Sequence, residues 1–255
     1  MGRLNDRRKQ VGFSQRIQLE WMEHVAGLAL EGCETEQIRR GLQAFLRDRL
    51  SVDGDSKRGN REKAVTILMK IWVTVPRDLR EVRDKALELL MALPAEAHLA
   101  VHWGMSMAVY PFWGRVAGCV GRLFKLQGSA SAAEVQRRLR EEYGERETVS
   151  RSARRVLRAF VDWGVTEEGA ARGVYDATER RAIRNAAVAG LLVQSSLLAD
   201  SVSTKPLDMA FRDPALFPFS IRPVPSSDLS LVSGVDVVRT GIEQELLTLG
   251  VRWNQ

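Results

Sequence analysis

The sequence predicts a mainly α-helical protein with a helical bundle in its N-terminal part and a small α+β appendage at its C-terminal end. Three observations predict it. Apolar residues recur every three to four positions from Ser14 to Ala199, the period of a helix with one buried face. A Ser-x-x-Glu cap and two glycine stops bracket a pair of helices between Ser131 and Gly164. From Ser201 the chain turns to Pro-, Ser- and Phe-rich segments and short β-like runs.

Residues 1–13 form a polar, basic arm expected to be flexible. Residues 14–110 form a helical lobe of five helices. The first begins at Ser14, turns Ile17, Trp21, Val25 and Leu28 inward and stops at Gly32. Thr35 caps the second, with Ile38, Leu42, Phe45 and Leu46 inward, and Ser51–Asn60 is a polar, glycine-bearing loop. A third helix starts at Arg61, carries Ala64, Ile67, Leu68 and Ile71, and breaks near Pro76. Leu79–Ala92 is the fourth. The fifth follows Pro94 to about Val109 and reads as a central buried element through Leu99, His102, Trp103 and Met107.

The central unit, residues 111–178, begins with an amphipathic helix over Phe112–Gln127, with Pro111 near its start and Val116, Val120, Leu123 and Phe124 on one side. In the next helix Ser131 and Glu134 form a capping box, Val135, Leu139 and Tyr143 face inward, and Gly144 ends it in the αL conformation. With Thr148 at the following N-cap and about 100° of turn per residue, Val149, Ala153, Val156, Leu157, Phe160 and Val161 gather on one face. Arg151, Arg154, Arg155 and Arg158 gather on the other, flanked by Ser150 and Ser152, with no acid between Thr148 and Arg158. Gly164 caps this helix, and residues 167–178 read as a short hairpin with Arg172 near its tip and Val174 and Tyr175 on the return strand. Three helices and a hairpin make a winged helix-turn-helix. A helix that packs by one face and offers cations and hydroxyls from the other suits a polyanion, as a recognition helix suits the DNA major groove. The competing reading is a solvated charged face, and the absence of acids decides against it.

In residues 179–255, Thr178 is expected to cap a long helix to about Ala199 with Ile183, Ala187, Leu191 and Leu198 inward, followed by β-like runs at Leu229–Val232, Val235–Val238 and Leu246–Val251.

At 255 residues, 45% hydrophobic and 27% charged, the chain can bury a substantial core. A net charge of +6 suits a nucleic-acid partner without demonstrating one. Arginine dominates the basic residues, but a GC-rich genome produces the same skew, so the local arrangement carries the weight. Two cysteines, Cys33 and Cys119, make neither a disulfide framework nor a metal motif, and a cytoplasmic location is expected. The N-terminal residues lack the apolar stretch of a secretory signal, and the longest apolar run, Ala186–Val193, is too short to span a bilayer.

An enzyme is not expected. No phosphate-cradling glycine loop and no G-x-S-x-G elbow occurs. His98 and His102, at i and i+4 with Glu96 nearby, have zinc-chelating spacing, but Leu99 stands where a zinc protease places its glutamate. A structural role is expected for both histidines, and neither metal nor cofactor is.

The helical lobe, the loop followed by N-R-E-K-A at Asn60–Ala64, and the arginine helix ending F-V-D-W-G-V at Phe160–Val165 resemble the BrxA-like components of bacteriophage exclusion (BREX) defence systems. The similarity covers much of the chain in order and pattern, includes no catalytic motif, and leaves the C-terminal appendage as additional length. It implies a non-enzymatic, double-stranded-DNA-binding accessory protein of phage defence, working beside other defence proteins, a methyltransferase and an ATPase.

The expected DNA contacts are Arg151, Arg154, Arg155 and Arg158 with Thr148, Ser150 and Ser152 in or beside the major groove. Arg137, Arg138 and Arg140 would contact the backbone from the preceding helix, and Arg172 would reach an adjacent groove from the hairpin. Arg3, Arg7, Arg8 and Lys9 of the arm have two readings: contacts to backbone or minor groove, or, as is more common for such a tail, a merely solvated segment. Two alternatives share the pattern: a protein-interaction scaffold that turns the arginine face to an acidic partner, and a transcriptional regulator with a defined operator.

Overall fold

After a helical stretch at residues 7–9, five helices lie between Leu19 and Val109 in the computed structural model, which describes residues 7–50, 59–200, 202, 204–232, 234–240 and 244–250. They are α1 (Leu19–Leu30), α2 (Thr35–Phe45), α3 (Asn60–Trp72), α4 (Arg80–Ala92) and α5 (Ala95–Val109), with a 3-10 turn at Arg77–Leu79 after Pro76. Next come α6 (Pro111–Gln127), β1 (Ser129–Ser131), α7 (Ala132–Tyr143), α8 (Glu147–Asp162), β2 (Thr166–Glu168) and β3 (Val174–Ala177). The remainder is β4 (Arg181–Ile183), α9 (Ala186–Ala199), β5 (Thr204–Pro206), α10 (Leu207–Phe211), a 3-10 turn at Pro214–Leu216, β6 (Phe219–Ile221), α11 (Ser226–Val232), β7 (Val235–Thr240) and β8 (Gln244–Leu249). The protein is mainly helical, with small sheets.

Two helices are apolar on every side and sit at the centre. In α5 every residue from Leu99 to Val109 is buried, and in α9 every residue from Val188 to Ala199 is. Such helices must be covered all round, and α9 packs along α5. Small residues allow the approach: the α-hydrogen side of Gly104 lies against Leu191 and Ser195, and that of Gly114 against Ala199. Trp103 of α5 anchors an aromatic cluster, with ring centroids 5.3 Å from Trp113, 4.9 Å from Phe160 and 5.6 Å from Phe217. Its indole N–H donates to the Ala215 carbonyl at 3.1 Å, satisfying the polar edge of a fully buried ring. Lobe, central unit and C-terminal segment therefore share one continuous core.

Among the described residues, three sheets complete the fold. β3 lies between β1 and β2, antiparallel to both, with Ala130 opposite Tyr175 and Thr166 opposite Ala177. β4 pairs with β6 in parallel, and β8 lies between β5 and β7, antiparallel to both.

Several expectations are corrected. The helix expected from Thr178 begins at Ala186, with the Asn185 side chain accepting the Ala187 and Val188 N–H groups; residues 181–183 are strand instead. The β-like run at 229–232 is helical, within α11. The helix expected from Ser14 begins at Leu19. The arm is packed in its described part. Arg7, 8% exposed, pairs with Asp78, and the Arg8 guanidinium donates to the Leu197 and Leu198 carbonyls. Desolvating these groups locks them to the core instead of leaving them free for DNA. Arg3, residues 51–58 of the expected loop and Val251 lie outside the described residues.

Candidate nucleic-acid interface

The central unit positions its charged helix through both neighbours. Ser131 caps α7: its Oγ accepts the Glu134 N–H at 3.1 Å and donates its hydroxyl to the Glu134 carboxylate at 2.9 Å. That carboxylate also takes the Gln127 side-chain amide at 3.2 Å. Val135, Leu139 and Tyr143 are buried, and Gly144 turns the chain at φ +86°, where a side chain would be strained. α8 then runs from Glu147, with Arg146 as its N-cap in place of Thr148. Val149, Ala153, Val156, Leu157 and Phe160 are buried as expected, and Val161 is half-buried. The far end is fixed by Asp162, which takes the Arg16 guanidinium, and by Trp163, whose indole N–H donates to the Ile17 carbonyl at 3.0 Å.

Arg151, Arg154 and Arg158 are exposed and Arg155 is half-buried. Burial, then repulsion from Arg151 and Arg154, pushes the Arg155 guanidinium below its ordinary pKa, the mark of like charges crowded on one face. Among the described residues no ion pair engages Arg154, Arg155 or Arg158. Arg158 also acts on Tyr175 of β3, whose phenol is raised first by burial and opposed by the arginine. The β2–β3 hairpin follows α8, with Arg172 exposed on its loop next to Gly173 at φ +78°. Thr148 is exposed in the first turn, and the Ser150 carbonyl accepts the Arg154 Nε–H at 3.4 Å.

Three expectations change here. Ser152 is 6% exposed and belongs to the buried face, because it follows Val149 by three and precedes Val156 by four. Arg151 is not free: Glu147, one residue upstream of the predicted helix start, holds it in an i,i+4 ion pair. On α7, Arg137 pairs with Glu141 at 2.6 Å and Arg140 approaches Glu145 at 3.8 Å, while Arg138 has no ion pair among the described residues. The spacing of these acids was visible in the sequence; it was the helix start that hid Glu147.

His98 and His102 meet an acid from another helix. Glu23 of α1 lies 3.1 Å from His98 Nδ1 and 3.2 Å from His102 Nε2. The His98 Nε2 faces the Leu93 carbonyl at 3.0 Å. The His102 ring is fully buried, and its contact to Glu23 is too poorly aligned to count as a hydrogen bond. Burial pushes His102 below its ordinary pKa despite Glu23. Among the described residues no three His, Cys, Asp or Glu side chains are disposed to hold a metal ion, and no helix is long and apolar enough to cross a membrane.

Comparison with protein-family models, with curated proteins and with solved structures returned no match for this chain.

Proposed function

We propose that this protein binds double-stranded DNA without catalysing a reaction, that residues 111–178 form a winged helix-turn-helix, and that α8 is its recognition helix. Support for the fold assignment comes from chain order: helix, strand, two helices and a two-stranded hairpin, with the hairpin's return strand pairing β1. The observation that carries the functional reading is the run of Arg154, Arg155 and Arg158, free of ion pairs among the described residues, on the face of α8 opposite its buried side. Desolvating or crowding cations without carboxylates costs stability, and phosphates supply the missing charge. Arg138 and Arg172 add backbone contacts; Arg137, Arg140 and Arg151 contribute less while their glutamates hold them. The BREX-like resemblance extends this to an accessory role in phage defence, alongside a methyltransferase and an ATPase.

The test is fluorescence anisotropy on a labelled duplex across a salt series, comparing wild type with Arg154→Glu/Arg158→Glu, both shown to be folded by circular dichroism. For five phosphate contacts the slope of log K against log salt is about −4 to −5. Binding with that slope, lost in the variant, supports the reading. No binding by folded wild type, or equal binding by the variant, overturns it.

A further inference from the structure

A cavity of about 250 Å³ lies between residues 10–14, the outer side of α3 and the junction of α5 with α6. It shares no residue with the arginine face of α8. Three cations line it: Arg7, Lys63 and Lys70. Lys63 belongs to the N-R-E-K-A segment, which the DNA-binding reading does not use.

The site is built rather than superficial. Arg7 is almost wholly buried; two of its guanidinium nitrogens hold Asp78, at 2.6 and 3.2 Å, and its Nε–H has no acceptor among the described residues. A buried donor without an acceptor is costly to maintain. Lys70 is half-buried, with its ammonium 4.8 Å from the centre of the Tyr110 ring. Neither Lys63 nor Lys70 has an ion pair among the described residues. Burial, then repulsion from Arg7, pushes Lys70 below its ordinary pKa. The wall is held in place by the N-terminal segment: a Cβ on Gly12 would stand 2.4 Å from Tyr110 Cδ1, and the buried Phe13 adopts φ +62°. Three positive charges against the single Asp78 leave a net charge of +2.

We propose that this cavity binds a small phosphate monoester. The dianion carries a charge of about −1.5 to −2 at neutral pH, matching the excess, and its oxygens would give Lys63 and Lys70 their acceptors. Its organic group would lie against Val11, Ile67 and Val109. The volume falls below that of common drug-sized pockets, about 300–1,000 Å³, which restricts the ligand to a compact molecule.

Isothermal titration of the full chain with ribose 5-phosphate, inorganic phosphate and ribose tests this. Ribose 5-phosphate is expected to bind about tenfold or more tightly than inorganic phosphate, and ribose not to bind. Lys63→Gln/Lys70→Met should weaken the monoester about tenfold or more while its melting temperature and duplex-DNA affinity stay close to wild type. Arg7 is left unchanged because its ion pair is part of the core. No heat from ribose 5-phosphate at millimolar concentration, affinity equal to that of inorganic phosphate, or unchanged affinity in the folded double variant overturns the proposal.

Discussion

Replacing Glu147 by Gln should strengthen DNA binding while weakening the fold, two effects that a merely structural role for α8 would not separate. Glu147 stands in the first turn of α8, where its charge complements the helix dipole, and it holds Arg151 four residues on. Both side chains are more than half exposed, so the pair itself is worth about 0.3–0.5 kcal/mol. Loss of the dipole interaction adds about 0.3–1 kcal/mol. Unfolding by urea should therefore show a loss of about 0.6–1.5 kcal/mol, the sum of those two contributions. At the DNA surface the variant removes a carboxylate beside the phosphates and frees Arg151 to neutralise one of them. One further contact steepens the salt dependence by about 0.9 in log K against log salt. Between 50 and 200 mM salt, that amounts to about 3.5-fold more affinity lost than for wild type. Anisotropy titrations at four or five salt concentrations would measure both slopes. Weaker binding at low salt, or an unchanged slope, would refute the placement of Arg151 at the phosphate surface.

Gly121→Ala should destabilise the protein by about 1–3 kcal/mol, because a Cβ there would stand 2.0 Å from the Pro214 carbonyl oxygen, a backbone atom that cannot step aside. Gly27→Ala, which meets nothing within 4 Å inside α1, should stabilise by about 0.5–1 kcal/mol; denaturant melts of the two give opposite signs. Lys205→Met should cost about 3–5 kcal/mol, because Lys205 is held between Asp200 and Asp213 and its loss leaves the largely buried Asp213 carboxylate without a cation, while Asp200 keeps Arg115. Stability should also fall on acidification. The folded pKa of His102 lies below the ordinary 6.5, so the unfolded chain binds the proton more readily. The contribution is complete above about pH 6.5 and lost as pH falls towards the depressed folded value. Thermal melts of His102→Gln should show a flatter profile in that window, and an unchanged profile would remove His102 from the explanation.

How far the sequence reached depends on how local each signal was. The helices α3, α4, α6, α7 and α8 were legible because a buried face repeats every three to four residues, and their ends were marked by Pro111, Ser131, Gly144 and Gly164. The arginine face was legible for the same reason, since residues three and four apart share one side of a helix. Ser152 shows the limit of that rule: it lies at the boundary of the two faces, where a small shift in helix phase decides burial.

What only the tertiary structure decided are pairings between distant parts of the chain. β1 is three residues long and became a strand through Tyr175 and its neighbours, and β4 through residues almost forty positions later. The basic tail read as solvated because charge in a short polar segment normally is, yet Asp78 and the carbonyls of Leu197 and Leu198 provide partners that no local pattern announces. Glu23 meets His98 and His102 across seventy-five or more residues, and Lys63 and Lys70 meet Arg7 across a similar span. The sequence by itself determined the helices α3, α4, α6, α7 and α8 and which face of α8 is charged, because those follow from spacing along one chain segment. The folded chain alone decided which charges find an ion-pair partner, because that depends on which segments the shared core brings together.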